Sequence, residues 1–355
     1  MKTIKIIITI IASVVAAFIL FLSFFTLTEY RPDEITELIP RNGIRAESSA
    51  PGGLNLLSWN LGYCGLDSET DFFMEGGSQK GRNSIDAHRE ALDDIIGFIS
   101  KQEPDICFLQ EVDTKSHRSY KIDQSYVLAS SFGDYEQYYG KNYSCAFVPM
   151  PIQAPIGKVE SGILTMSRFS INESSRHSLP GSYSWPVKVF HLKRCAVVSI
   201  LPSAVSGKFW YLINIHLSAY GNGSMRAQQL EYLRTFMTER YNEGHYVVIG
   251  GDWNSMFPGV TMDDFGDYTT PEEYLFWVQK IPENWTPSNW QWCYDNNVPT
   301  SRSLEQPFKE GENFTTLIDG FLVSPNLKVR DVKAYNLKFK SSDHNPTTIT
   351  VSIRD

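Results

Sequence analysis

Several features that point to common classes of protein are missing from this sequence of 355 residues. The five cysteines include no pair at the short spacing of metal ligands, so a structural zinc site is not expected, and a disulfide framework is the less favoured interpretation. There is no Gly-rich phosphate loop and no internal repeat. Clusters of Lys and Arg are scarce and the formal net charge is -8. This balance disfavours an indiscriminate nuclease, because non-specific affinity for nucleic acid comes mainly from cations that neutralise phosphates.

One long hydrophobic run is present, in residues 6–27. A helix of that length spans about 30 Å, the thickness of a bilayer hydrocarbon core. Lys2 and Lys5 precede the run and mostly acidic residues follow it, so the positive-inside rule places residues 1–5 in the cytoplasm and the rest of the chain outside. We therefore predict a transmembrane signal-anchor helix in a single-pass protein of the cell membrane. The alternative is secretion after cleavage of a signal peptide, whose apolar region is usually only ~7–15 residues long.

The rest of the chain divides into a predicted tether and a predicted domain. Residues 28–53 are rich in charge, Pro and Gly and have little periodicity, so we predict that they form the tether. Residues 54–355 would form the domain. Short apolar runs predict its strands at 54–59, 106–110, 162–167, 187–192, 195–201, 209–217, 246–251, 321–324 and 347–353.

Two helices are predicted between these strands. The first carries an apolar face that runs from Leu92 to Ile99, with Asp86 as its candidate N-cap. The second covers residues 224–241. Many strands and few helices indicate an α/β domain with strand-rich layers.

Residues 256–315 form a long segment between two predicted strands. Four of the eight tryptophans of the chain lie in it, together with several prolines and many acidic residues. Segments of this length are usually functional or disordered, and the aromatic content argues against disorder. We predict an insertion that shapes a substrate pocket. Arg302 within it is a candidate contact for an anionic substrate, with a surface salt bridge as the alternative.

Polar residues recur where the predicted strands begin or end. They are Asn60, Glu111, His216, Asp252, Asn254, Asp319, Asp343 and His344. Polar side chains at the rim of a packed sheet face a shared edge, which is where α/β folds usually bind ligands. We therefore expect these side chains to meet in one cleft.

The residue types in this set suit the hydrolysis of a phosphoester. Asn60 and Glu111 offer hard oxygen ligands, which Mg²⁺ or Mn²⁺ prefers. Asp252 can orient or deprotonate a water molecule, and Asn254 and two histidines, His216 and His344, can donate hydrogen bonds to the phosphoryl group. Asp319 can fix the tautomer of His344 and stabilise its charged form.

The same residues carry a resemblance to the endonuclease/exonuclease/phosphatase superfamily. The matching segments are SWN (58–60), PDICFLQEVD (104–113), NIHLS (214–218), GGDWNS (250–255), IDGFLVSP (318–325) and SSDHNP (341–346). They occur in the order of the family with similar spacing, and the resemblance covers residues 54–353. The combination of the QE, GDxN and SDHxP elements is far more specific than any one of them.

The resemblance implies a four-layer α/β sandwich, in which two β-sheets pack face to face with helices outside. It implies a metal on Glu111 with Asn60 beside it and Asp343 nearby. It further implies that Asp252 orients or activates water and that Asn254 contacts the phosphate. His344 would bind the scissile phosphate, paired with Asp319, and His216 matches a histidine of several branches of the family. One departure is Ser161-Gly162, where the family often has Gly-Asn, so a phosphate-contacting Asn is missing there.

These observations predict a metal-dependent phosphoesterase that acts on a phosphodiester or phosphomonoester outside the membrane. The sequence does not reveal the substrate, for which a phospholipid and another small-molecule phosphoester are both candidates. The membrane is an expected partner through the N-terminal helix. Nucleic acid is a less favoured partner, and we expect a monomer. The alternatives are a nuclease of the same fold and a catalytically inactive binding protein that uses the aromatic insertion.

Overall fold

The structure is a computed structural model that describes residues 2–41, 51–221 and 223–354. Within these residues the α-helices are α1 (Lys2–Leu27), α2 (Ile85–Gln102), α3 (Gln124–Ser131) and α4 (Ser224–Asn242). Helix α1 is long and apolar enough to cross a membrane, and nearly all of its side chains are exposed. The apolar run in the sequence therefore forms one uninterrupted helix outside the folded body.

The strands of the same residues form two large sheets and one small ribbon. They are β1 (Ile35–Glu37), β2 (Gly53–Asn60), β3 (Ile106–Asp113), β4 (Glu136–Val148), β5 (Gly157–Ser167), β6 (Glu173–Ser178), β7 (Cys195–Pro202), β8 (Phe209–His216), β9 (Tyr246–Asp252), β10 (Gln291–Cys293), β11 (Ser301–Arg302), β12 (Thr315–Thr316), β13 (Asp319–Val323), β14 (Leu327–Ala334) and β15 (Thr347–Ile353). One sheet has the order β1-β6-β7-β8-β9-β13-β10 and the other has the order β14-β15-β2-β3-β5-β4, while β11 pairs with β12.

The period-two pattern of the central strands explains how these sheets stack. In β2, Leu54 and Leu56 enter the core between the two sheets, whereas Leu57 and Trp59 pack outward in a cluster with helix α2. On the far side, helix α4 buries Leu230, Leu233 and Met237 against the outer face of the other sheet. The result is helix, sheet, sheet, helix, so the predicted four-layer α/β sandwich is confirmed.

The strand prediction was wrong at residues 187–192. Val187–Phe190 forms a 3-10 helical turn after Pro186, and Phe190 contacts the aromatic rings of helix α1. The run is apolar because it packs against this helix, and not because it belongs to a sheet. Strands β4, β6 and β14 were not predicted, because polar residues occupy much of their lengths.

Two boundaries also differ from the prediction. Helix α2 begins one residue before Asp86, and its N-cap is Ser84, whose hydroxyl accepts a hydrogen bond from the Ala87 N–H. The segment predicted as a tether is not free of regular structure, because Ile35–Glu37 adds an edge strand to β6. Residues 42–50 of that segment lie outside the described residues.

All five cysteines are buried, and none forms a disulfide. Cys107 lies in β3 and Cys195 begins β7, and neither has exposed surface. The prediction that they pack as small apolar side chains is confirmed.

His177, on the strand that pairs with edge strand β1, is a buried histidine. His177 pairs in register with Ile35, and its two ring nitrogens lie 2.7 Å from the Tyr232 hydroxyl and 3.0 Å from the Ser175 hydroxyl. Burial, with the neighbouring Arg176, lowers the pKa of His177 to about 4. The neutral ring is therefore the folded form, whereas an exposed histidine in the unfolded chain titrates near ~6.5.

We expect His177 to contribute stability that is fully present above pH ~6.5 and is lost as the pH falls towards 4, by up to about 3 kcal/mol. His177→Gln keeps a hydrogen-bonding side chain that does not titrate, so its stability should depend less on pH in this window. The measurement is the thermal unfolding midpoint of the full chain in detergent between pH 4 and 7. Equal slopes for the two proteins would contradict this assignment.

Candidate active site

Three neighbouring strands of one sheet place three predicted site residues side by side. His216 on β8 is paired in register with Asp252 on β9, and Asp252 is paired with Asp319 on β13. Gly251 allows this close pairing, because its φ is +142° and a Cβ there would meet the Ile215 carbonyl oxygen at 2.0 Å. In the Gly-Asp pair, the backbone therefore requires the glycine, and the aspartate supplies the chemical group.

The second sheet contributes Asn60 and Glu111 from the ends of parallel strands β2 and β3. Glu111 lies at a bulge between Leu109 and Val112, and its φ is +51°. A non-glycine residue in this region is uncommon and costs energy, and such residues concentrate at functional sites. The bulge brings the Glu111 side chain to the cleft, which it lines.

Hydrogen bonds across the two sheets hold the site together. Asn60 Nδ2 donates to Asp252 Oδ2 at 2.9 Å, and the Asn254 backbone N–H donates to Asp252 Oδ1 at 2.8 Å. His216 Nε2 lies 3.3 Å from Asp252 Oδ2 and 4.0 Å from Glu111 Oε1. Two of these contacts, Asn60–Asp252 and His216–Glu111, join residues more than a hundred positions apart, so the expected meeting of distant side chains does occur.

His344 and Asp319 form a closely bonded pair. The ring Nδ1 of His344 lies 2.7 Å from Asp319 Oδ2, and its Nε2 faces the site, 3.9 Å from Asp252 Oδ2. Burial alone would lower the pKa of His344, but the carboxylates of Asp319 and Asp343 and the bond to Asp319 outweigh it and raise that pKa well above its ordinary value. His344 is thus a protonated donor.

The second histidine differs in charge. Burial, aided by Arg194 and His344, lowers the pKa of His216 well below its ordinary value, so His216 is neutral despite its acidic neighbours. Burial, with the nearby Asp319 carboxylate, raises the pKa of Asp252 to about 6. A carboxylate that titrates there can accept a proton near neutral pH.

Two groups of side chains offer metal-ligating atoms. Asp252, Asp319 and His344 have ligand atoms within 4.8 Å of one another, but the bond between Asp319 and His344 already uses two of these groups. Glu111 is a better candidate, because its carboxylate accepts no hydrogen bond in the described part of the chain and its side chain is 25% exposed. Asn60 and Asp343 line the same cleft as Glu111. The Gly62 N–H donates to Asn60 Oδ1, and a Cβ on Gly62 would meet Asp343 Oδ1 at 2.6 Å, so these two side chains lie near each other. Hard oxygen donors of this kind fit a divalent cation such as Mg²⁺.

The site opens into a cleft of about 580 Å³. The insertion supplies part of its wall through Trp277, Ser301 and Leu304. Trp277, Trp285 and Trp290 are buried in packed clusters, so residues 256–315 are part of the domain.

Arg302 was expected to contact substrate, and the structure gives it another role. It is 1% exposed, and its two terminal nitrogens donate to four backbone carbonyls, those of Asp67, Thr70, Ser303 and Gln306. These bonds fasten the loop after β2 to the insertion. A surface salt bridge does not describe Arg302, because the side chain is buried. Arg302 lines the cleft, but backbone carbonyls occupy its two terminal nitrogens. Arg226, which bonds the backbone oxygens of Asn254 and Trp277, is likewise a structural cation.

Further polar residues that the sequence analysis did not single out also line the cleft, among them Arg194 and Asn142. Arg194, just before β7, places Nη1 in a buried position without a hydrogen-bond partner among the described residues, near Glu111 and Asp252. Asn142 lies at a bulge of β4 opposite Ser161 and Gly162, so an amide side chain is present beside the position where the family Asn is missing. Arg194 directly precedes a predicted strand and Asn142 lies in a strand that was not predicted, and neither belongs to a motif of the resemblance.

Fold and site together define a class: two-sheet α/β sandwiches with a polar, metal-ligating site across the ends of both sheets. The chain belongs to the endonuclease/exonuclease/phosphatase family, whose model matches residues 57–344. Members of this family are generally phosphoesterases or nucleases and typically use divalent metals. No curated protein matches the chain.

Solved structures share the fold at low sequence identity. The endonuclease/exonuclease/phosphatase from Beutenbergia cavernae DSM 12333 is 17% identical with a TM-score of 0.54, and the match covers 85% of this chain and 72% of that one. The protein of the same description from Bacteroides vulgatus is 16% identical with a TM-score of 0.53, over 85% and 99% of the two chains. TDP2 from D. rerio, complexed with a single strand DNA product, is 14% identical with a TM-score of 0.51, over 84% and 99%.

Proposed function

We propose that this chain is a membrane-anchored hydrolase that cleaves a phosphoester outside the membrane, with Mg²⁺ or Mn²⁺ as its cofactor. One observation carries the proposal. An unbroken series of contacts below about 4 Å links Asp319, His344, Asp252, His216 and Glu111 at the mouth of one cleft. An inactive binding protein would not need a protonated histidine (His344), a base (Asp252) and a free carboxylate (Glu111) in this arrangement.

The chemistry follows from the charge of each group. His344, held protonated by Asp319, donates a hydrogen bond from Nε2 to a phosphoryl oxygen and stabilises the charge that develops there. Asp252, fixed by donors from Asn60 and Asn254, accepts a proton from the attacking water. His216 is neutral, so it positions these groups without adding charge.

Glu111, with Asn60 and Asp343, would hold the divalent cation. When bound, such a cation neutralises charge on the phosphoryl group and lowers the pKa of water. The charge asymmetry around helix α1 supports an extracytoplasmic domain. A protein released by signal cleavage would place the same domain outside the cell, and the size of the mature chain distinguishes the two.

The test is hydrolysis of bis-p-nitrophenyl phosphate by the full chain in detergent, with Mg²⁺, with Mn²⁺ and with EDTA. The proposal predicts turnover that requires the metal. If neither this diester nor p-nitrophenyl phosphate is hydrolysed under any metal condition, the chain is a binding protein instead.

A nuclease is the second candidate, because the D. rerio TDP2 structure of this fold holds a single strand DNA product. The net charge of -8 counts against it, since phosphate backbones are bound through cations. Plasmid and single-stranded DNA belong in the same assay. Degradation of DNA at a higher kcat/KM than the small diester would favour the nuclease.

Arg194 should matter for either substrate. Arg194 lines the cleft and its buried Nη1 has no hydrogen-bond partner among the described residues, so we expect a charge-assisted bond to a phosphoryl oxygen, which is worth about 1.5–3 kcal/mol. Arg194→Ala should lower kcat/KM for bis-p-nitrophenyl phosphate by about 10–100-fold, a factor that corresponds to this energy.

Lys193→Ala is the matched control, because it removes the same charge one residue away. Lys193 bonds Glu29, and it does not line the cleft. Its kcat/KM should stay near that of the wild type. Equal losses in the two variants would show that Arg194 acts only through net charge.

A further inference from the structure

One wall of the cleft is apolar and continues away from the catalytic residues. Tyr143, Val148, Ile156, Phe190 and Leu192 line this wall. The same five side chains belong to a single hydrophobic cluster of the domain. A small, fully polar phosphoester has no contact to make with such a surface, whereas a hydrocarbon group has.

The end of the membrane helix is part of that same cluster. Phe25 of α1 is 5% exposed, its ring centroid lies 4.9 Å from that of Phe190, and Phe21 lies 6.1 Å from the same ring. Phe190 therefore contacts the helix end as well as the cleft. The apolar wall thus shares one cleft with the catalytic groups and reaches the point where α1 leaves the domain.

Exposed apolar side chains lie around this point, at the mouth of the cleft. Met150 is 47% exposed and Val187 45%, and both line the cleft. Ile152, close to Met150 in the chain, is 76% exposed, and Trp185, close to Val187, is 55% exposed. Trp185 Nε1 donates to the Thr26 hydroxyl at the end of α1. These four residues form the apolar rim.

A bilayer that contains α1 would cover this rim. Contiguous exposed apolar surface marks a site of interaction, and tryptophan is enriched where membrane meets water. The rim lies at the C-terminal end of α1, so it would sit at the surface of the leaflet that contains this end of the helix. No separate partner is needed to explain why the rim is apolar.

We propose that the cleft takes a membrane phospholipid from this leaflet, with its phosphoester at Glu111 and His344 and its hydrocarbon part along the apolar wall. This inference rests on the proposed phosphoesterase function and names its substrate class. Hydrolysis adds water across one P–O bond: the hydroxyl binds phosphorus and the proton goes to the departing alkoxide. The products are a phosphomonoester and an alcohol, one of which stays in the bilayer.

The test compares two substrates with the same protein. The full chain is reconstituted in vesicles of phosphatidylcholine, phosphatidylethanolamine and phosphatidylglycerol, and phosphate-containing products are measured beside turnover of bis-p-nitrophenyl phosphate. We expect metal-dependent hydrolysis of at least one vesicle lipid. Turnover of the soluble diester without any lipid product would overturn the inference and leave the proposed function standing. Absence of both activities would overturn both.

A rim variant adds a specific readout. The double variant Ile152→Ser and Trp185→Ser changes exposed residues that do not line the cleft. It should lower lipid hydrolysis about tenfold, because it removes apolar area that enters the bilayer, and leave turnover of the soluble diester within about twofold. The matched control is Tyr126→Ser with Val205→Ser, two exposed residues outside the cleft.

A physical measurement checks the rim without catalysis. Brominated phospholipids quench tryptophans that reach the bilayer, so wild-type fluorescence should fall more than that of Trp185→Phe. If quenching is the same in both, and the rim and control variants hydrolyse lipid alike, the rim does not meet the membrane.

Discussion

Glu111→Gln should lower metal-dependent hydrolysis of bis-p-nitrophenyl phosphate by about 10³-fold or more while the chain stays folded. The variant keeps the size of the side chain and removes its negative charge, which is the feature that a divalent cation requires. The fold should tolerate the change, because the carboxylate accepts no hydrogen bond in the described residues and the side chain is 25% exposed. Burial raises the pKa of Glu111, and an amide there no longer carries a buried charge.

Two measurements separate loss of the metal from loss of the fold. Binding of Mn²⁺, followed by its electron paramagnetic resonance signal, should weaken in Glu111→Gln, while the thermal unfolding midpoint without metal should not fall. Glu173→Gln, an exposed change on β6, serves as the control and should behave as the wild type. Full activity in Glu111→Gln would show that the cation binds elsewhere, for example at Asp252, Asp319 and His344.

His344→Ala is the second variant with a large expected effect, also about 10³-fold in kcat. It removes a protonated donor from a water-poor site and leaves the carboxylate of Asp319 buried without its partner. The rate should suffer more than the affinity, because charge develops on the phosphoryl oxygens only in the transition state. Steady-state kinetics with the soluble diester measure both quantities.

Asp319→Asn tests whether Asp319 acts through His344. It leaves the ring in place but removes the charge that favours its protonated form, so we expect a smaller loss, on the order of 10²-fold. His117→Ala, an exposed histidine outside the cleft, is the control. If His344→Ala loses less than about tenfold, the assigned role of this histidine is wrong.

The apolar periodicity of the sequence predicted most of the strands that face a core on both sides. Strands β2, β3, β7, β8 and β9 were located within a few residues, because most of their positions are apolar. Strand β15 was located by apolar residues that alternate with polar ones. Strand β6 was missed, since its sequence is ESSRHS and its buried Arg176 and His177 are satisfied by hydrogen bonds. A search for hydrophobic residues does not find buried polar side chains, whose burial is possible because hydrogen bonds satisfy them.

The site was predicted well where it coincided with strand ends. His216, Asp252 and Asp319 follow or begin apolar runs, and sheet register alone makes them neighbours. The backbone carbonyls around Arg302 were not predicted, because a cation carries no local sign of whether phosphate or carbonyls will surround it. Arg194 was overlooked for the same reason.

By itself, the sequence predicted the long apolar helix, the two-sheet domain and the polar residues that meet in the cleft, because each depends on residues near one another in the chain or on motifs in a fixed order. Only the tertiary structure decided that Phe190 contacts both the cleft and helix α1, that Arg194 lines the cleft and that the terminal nitrogens of Arg302 bond backbone carbonyls. Those facts depend on loops that meet from distant parts of the chain. Such meetings are set by the packing of the whole domain, which no local pattern of residues encodes.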